Sequence, residues 1–193
     1  RPCEDLSHLD WIRSRFVEFS KHALSEKGSS HSDIWLNQIH EKISVVNLNN
    51  FRLNMIKAIN MEAELRSRYF QLAKSLLESL VGNELAMQRR VNLSIQLPGD
   101  DSSLLPLHAD VWSGDSPYEV VVWIPLVDCF KTKSMYILPP EKTTELHNRF
   151  ADFSEKGSEA IFQEFEQDFH WVNVKYGEVL LFNQNLPHGN RVN

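Results

Sequence analysis

The sequence predicts a domain built helices first and strands second, a β-sandwich or barrel that carries helices on one side. Three observations predict it. Apolar residues recur at steps of three and four through roughly the first eighty residues, the spacing of an amphipathic helix. From Met87 onward the pattern alternates residue by residue, the spacing of a strand with one apolar face. The clusters PGDDSS, SGDSP and PPEK then cut the second half into short runs, as turn residues do. No alternating βαβ pattern, GxGxxG or Walker sequence occurs, which disfavours doubly wound nucleotide-binding folds. With 193 residues, 42% hydrophobic and 24% charged, the chain suits one soluble globular domain over 1–193, helical over 1–86 and strand-rich over 87–193.

Taken in order, Leu9, Ile12, Phe16, Phe19 and Ala23 mark a first helix, and shorter helical pieces follow around Ile34 to Val46 and Phe51 to Ile59. Ser32 and Asn50 are their expected caps. Leu65, Tyr69, Leu72, Leu76 and Leu80 mark one further helix, stopped at Gly82. Met87 to Leu97 reads as the first strand, its polar row being Asn92, Ser94 and Gln96. Strand runs follow at Leu107 to Asp110, Glu119 to Leu126, Met135 to Leu138, Phe169 to Val174 and Glu178 to Phe182. Between the third and fourth of these, Glu141 to Gln167 reads as two short helices around Gly157.

The charge balance sets aside several functions. There are 20 Lys and Arg against 26 Asp and Glu, a net charge of −6, with no basic run, so a nucleic-acid partner is not expected. No apolar run is long enough to span a membrane, and the opening RPCEDLSHLD is too polar for a signal peptide. The two cysteines, Cys3 and Cys129, form no CxxC pair; a cytoplasmic location is expected. A core of this size needs no structural metal, so any metal would be there for chemistry. A small molecule is the expected partner.

Three His-x-Asp triplets occur, at His8/Asp10, His31/Asp33 and His108/Asp110. Context separates them. On a helix, residues two apart point in nearly opposite directions, so His8 and Asp10 cannot close on one ion. His31 and Asp33 precede a helix, where Asp33 serves the cap. On a strand, residues two apart share a face, so His108 and Asp110 project together. A second histidine would complete the two-histidine, one-carboxylate facial triad of oxygen-activating Fe(II) sites. His188, after the last strand and before Gly189, is the first candidate; His170 competes, and His147 is expected on a helix surface. A polar row facing into a barrel would line a ligand cavity, with Trp123 as a wall and Trp112 and Tyr118 on a rim loop.

The segment LHADVWSGDSPYEVVVWIPLVDCFKTKSMYILPPEK, followed by YGEVLLFNQNLPHGNRVN, resembles the Fe(II)/2-oxoglutarate-dependent dioxygenases, and among them the phytanoyl-CoA dioxygenase-like group. The shared features are the HxD pair, a W-x-P/A-L-x-D strand, a strand ending in Leu-Pro, and G-[DE]-V-L-L-F before the distal histidine. The wording also resembles bacterial oxygenases of carbohydrate and streptomycin-type aminosugar biosynthesis clusters. The resemblance implies a mainly β fold, a double-stranded β-helix or cupin-like jelly roll with N-terminal helices packed on the larger sheet. It implies iron ligands His108, Asp110 and His188, with these as the catalytic residues, and O2 and 2-oxoglutarate as co-substrates. Trp123 and Asn190 would reach the 2-oxoglutarate, with Asn92, Gln96 and Tyr136 in the same cavity and Trp112 and Tyr118 toward the substrate. An aspartate at 110 implies oxygen transfer rather than the halogenation of relatives with a small residue there.

One feature departs from that family. Its 2-oxoglutarate is normally anchored by an arginine roughly ten residues past the distal histidine, since a guanidinium pairs bidentately with a carboxylate. Arg191 comes too early, and the expectation is that the anchor lies in a last strand beyond Asn193. The implied activity is hydroxylation or oxidation of a small polar metabolite, a sugar or aminosugar intermediate being one candidate. The alternatives are a cupin-like metal-dependent sugar isomerase or epimerase and a non-catalytic jelly-roll binding module.

Overall fold

Helical periodicity holds over more of the chain than the strand pattern does in the computed structural model, which describes residues 1–26, 31–102 and 104–193. Ser103, inside the PGDDSS turn, lies outside the described residues. The structure is 48% helical and only 10% strand. Its strands form two small antiparallel sheets, of two and three strands, and no barrel is present among the described residues. The expected mainly β jelly roll is therefore not the fold.

The chain divides into two compact units. The first comprises Arg1–Ile95 with Ile124–Val127 and Tyr176–Val179. Its helices are α1 (Leu6–Ala23), α2 (Ser32–Gln38), α3 (Val45–Asn60), α4 (Leu65–Gln71) and α5 (Lys74–Val81). α1 packs on α2, α3 and α4 through Leu9, Ile12, Phe16 and Val17, against Leu48, Phe51, Met55 and Ile59 of α3. These are the i, i+3, i+4 positions that an amphipathic helix buries. Ser20 turns inward as well, because the Trp35 indole N–H donates to its hydroxyl at 2.7 Å.

Several boundaries differ from the reading of the sequence. α3 begins at Val45, so Asn50 is interior and Ser44 stands at the cap. α2 begins at Ser32 with His31 at the cap. The single helix expected from Leu65 to Leu80 is two, because Ala73 leaves the helical region (φ −145°) while Leu72 and Ala73 are buried. The stop at Gly82 is found.

The largest difference is Met87 to Leu97, which forms no strand. Strand pairing requires a partner backbone for each carbonyl and N–H. Here side chains from the helices take those groups. Arg66 donates to the Met87 carbonyl, Arg52 donates to the Ile95 carbonyl at 2.7 Å, and Asn60 grips Val91 at both ends, Nδ2 donating to its carbonyl at 2.9 Å and Oδ1 accepting its N–H at 2.8 Å.

The second unit comprises Gln96–Trp123, Asp128–Lys175 and Leu180–Asn193. In it β1 (Val120–Trp123) pairs antiparallel with β4 (Leu180–Asn183), Val121 opposite Phe182 and Trp123 opposite Leu180. β2 (Tyr136–Ile137) lies between β3 (His170–Trp171) and β5 (His188–Gly189), antiparallel to both. The expected two helices are α6 (Pro140–Asn148) and α7 (Gly157–Glu164). Prolines keep the strands short: Pro125 follows β1, Pro139 follows β2 and Pro187 precedes β5, each removing a ladder donor. The run expected to start at Glu178 starts at Leu180, because Glu178 pairs with Pro2 in the first unit instead. Two apolar clusters fill the second unit, one around Leu107, Tyr136, Leu138, Leu146, Phe165 and Phe169, the other around Met135, Val172, Val174 and Phe182.

Candidate metal centre

His108 and His188 meet because the segment around His108 adds to the free edge of β5. The two residues form one antiparallel hydrogen-bonded pair, His108 N–H donating to the His188 carbonyl at 3.0 Å and His188 N–H to the His108 carbonyl at 2.8 Å. Residues directly opposite in such a pair project to the same face. Their rings accordingly lie 4.4 Å apart, tilted by 49°.

After His108 the chain turns into a short 3₁₀ segment, Asp110–Ser113, closed by Gly114 at φ +102°, a conformation that favours glycine. The turn brings the Asp110 carboxylate back to the pair, its Oδ1 lying 3.6 Å from His108 Nε2. One ligand atom from each of His108, Asp110 and His188 lies within 4.8 Å of the others. Two ligands at about 2.1 Å from one ion stand about 3 Å apart at a right angle, so a small side-chain adjustment closes the set.

Both imidazoles are held in the form a metal needs. His108 Nδ1 lies 2.8 Å from the Pro106 carbonyl and His188 Nδ1 lies 2.9 Å from the Leu186 carbonyl. A carbonyl only accepts, so each Nδ1 carries the hydrogen, which leaves Nε2 as the ring atom able to take a metal. Such outer contacts set the orientation and tautomer of metal-bound histidines. His188 is buried, its ring centre 5.0 Å from that of Phe182 in a T-shaped pair, and burial above all lowers its pKa and favours the neutral imidazole.

The other residues singled out from the sequence are dispersed. His170, on exposed β3, stands across β2 from His188, with Ile137 between them, and does not join the triad. His147 is exposed on α6, as expected. His8 meets Asp5 and Arg68 while Asp10 accepts the Tyr176 hydroxyl at 2.6 Å, so that triplet diverges. Trp123 packs beside Val121, Leu180 and Phe182, on the cluster whose Phe182 touches His188. Asn92 and Ser94 are exposed in the first unit and Gln96 is half-buried in the second. Trp112 is taken up by Phe150, 5.0 Å away, and Tyr118 is 89% exposed.

Tyr136 and Arg191 lie on the reverse face of the sheet. Tyr136 stands opposite Gly189 and Trp171, one residue out of step with the Ile137 to His188 row. It is buried among Phe162, Phe169 and Trp171, and burial pushes its hydroxyl up to about 12. A cavity of about 510 Å³ opens there, lined in part by Tyr136, Phe162, Trp171 and Arg191. Arg191 lies over the Phe162 ring at 3.7 Å and binds Glu159 through two nitrogens at 3.0 and 3.1 Å.

Sequence reasoning missed the Pro106 and Leu186 carbonyls and Phe182. Prolines one or two residues before each histidine, at Pro187 and Pro106, were a signal available in the sequence. Compared with known proteins, the chain matches no protein family, no curated protein and no solved structure.

Proposed function

We propose that the protein is a non-haem Fe(II)- and 2-oxoglutarate-dependent dioxygenase that hydroxylates or oxidises a small polar metabolite. The observation that carries the reading is the His108, Asp110 and His188 set, with both Nε2 atoms free and both Nδ1 atoms tied to carbonyls. Two neutral imidazoles and one carboxylate on one side of an ion suit Fe(II) and leave its remaining positions open. The reading rests on this ligand set and on the order of motifs from His108 to His188, not on a barrel. Fe(II) with 2-oxoglutarate supplies the oxygen-activating chemistry when bound.

The chain's own residues do the rest. His108 and His188 present Nε2 lone pairs, and Asp110 contributes the negative charge that offsets part of a dication. Phe182 and the cluster beside it wall one side of His188 against water. The substrate class, with sugars and aminosugars as the leading candidates, follows from the resemblance and from the acidic chain, which offers no basic cluster for a polyphosphate.

The test is anaerobic addition of Fe(II) and then 2-oxoglutarate, followed by turnover with O2 across amino-sugars, nucleotide sugars and amino acids. The expected results are a weak visible charge-transfer band and succinate formed with one of these substrates. Metal-dependent isomerisation without succinate would favour the isomerase reading, and absence of both band and metal binding would sink the proposal.

A further inference from the structure

A proline next to a metal ligand breaks the ladder that holds it, and one side chain repairs the break. The pairing of His108 with His188 requires that the next rung, two residues along each segment, join residue 106 to residue 190. Residue 106 is proline and has no N–H to give. The rung slips by one residue instead. Asn190 N–H donates to the Leu105 carbonyl at 3.1 Å, and the Leu105 N–H donates to the Asn190 side-chain Oδ1 at 2.7 Å. Asn190 is 6% exposed, so its side of the rung is buried, while Leu105 is itself largely exposed.

The slip has a consequence for the ligand. In a regular ladder the residue 106 carbonyl would accept the residue 190 N–H. Here that N–H is used by Leu105, so the Pro106 carbonyl turns to His108 Nδ1 at 2.8 Å. Gly189 makes the slip sterically open: a Cβ there would lie 2.8 Å from the Leu105 carbonyl oxygen and 2.5 Å from the Tyr136 hydroxyl.

We infer that Asn190 is a positioning residue, whose carboxamide holds the slipped rung at Leu105 and so leaves the Pro106 carbonyl to orient His108 with Nε2 toward the metal. This gives Asn190 a role through His108 rather than through a co-substrate. The tautomer half of the inference stands on the hydrogen bonds alone; the affinity half rests on the metal reading.

The experiment uses protein labelled with ¹⁵N-histidine and read by long-range ¹H–¹⁵N correlation without metal. In the wild type, His108 and His188 should both show the Nδ1–H tautomer. In Asn190→Ala, His108 should shift toward Nε2–H while His188 stays unchanged, and Fe(II) affinity measured anaerobically by calorimetry should fall about 10- to 100-fold, the range for outer-shell partners. Asn190→Asp keeps an acceptor for Leu105 and should restore the wild-type tautomer. Should Asn190→Ala fail to fold, Pro106→Ala serves, since it returns an N–H to residue 106, lets the regular rung form and withdraws that carbonyl from His108. An unchanged His108 tautomer in the folded variant, or the same change in Asn190→Asp as in Asn190→Ala, would overturn the inference. Failure of the wild type to bind Fe(II) with the tautomer shift intact would count against the metal reading and leave the positioning role standing.

Discussion

Two asparagines hold backbone in similar ways and with opposite results. In the first unit Asn60 grips Val91 through both halves of its carboxamide, and the segment from Met87 to Ile95 stays outside any sheet. In the second unit Asn190 grips Leu105 with its backbone N–H and its side-chain oxygen, and the segment toward His108 stays attached to β5. Each satisfies polar groups that would be costly if buried alone. The difference is the neighbour: on either side of Val91 the Ile95 and Met87 carbonyls go to Arg52 and Arg66, whereas beyond Leu105 a true strand edge is waiting. The same chemistry replaces a strand in one place and completes a candidate metal centre in the other.

That contrast can be broken most directly at the ligands. His188→Ala should lower Fe(II) affinity by more than about 100-fold, beyond the range for outer-shell partners, read by metal analysis after dialysis. Unchanged iron content would mean that the pair is merely structural. Gly189→Ala comes next, because its Cβ would meet the Leu105 carbonyl oxygen, which is backbone and cannot swing aside. It should cost about 1–3 kcal/mol in denaturant unfolding, the usual range for overpacking, and should weaken metal binding with it.

Asn60→Ala sharpens the comparison from the other side. Loss of its two hydrogen bonds to Val91 and one to the Ile56 carbonyl should cost about 1–3 kcal/mol, seen as a drop of several degrees in Tm, with Fe(II) affinity unchanged. The smallest effect is expected at Arg191. Its pair with Glu159 is largely exposed and its stacking on Phe162 adds modestly, so Arg191→Ala should cost about 1 kcal/mol or less and leave metal affinity within about 2-fold. A large loss of metal binding there would show that the two faces of the sheet are coupled.

Much of the helical architecture was legible because helix formation is local. The 3.6-residue stripe of Leu9, Ile12 and Phe16 needs no knowledge of the partner surface to be recognised. Strands were less legible for the converse reason. Alternation over Met87 to Leu97 is compatible with a sheet, yet only the arrival of Asn60, Arg52 and Arg66 decides where those carbonyls go. Within the site, the strand expected over Leu107 to Asp110 is only a single bridge at His108 followed by a 3₁₀ turn, so Asp110 nears His108 through the turn and not by sharing a strand face, and His188 rather than His170 is the histidine beside them. Neither the Nδ1 contacts nor the slip at Pro106 has any periodic signature.

By itself the sequence determined where the helical stripes run, the punctuation by proline and the His108/Asp110 pair, since each depends on residue type and short spacing, whereas His188 reaches that pair only through the pairing of distant segments. The tertiary structure alone decided that the strands stay short and build no barrel, that Tyr136 and Arg191 turn to the face away from His188, and that Asn190 binds Leu105. The physical reason is that a backbone donor or acceptor is committed only when a partner reaches it, and those partners come from residues tens of positions away.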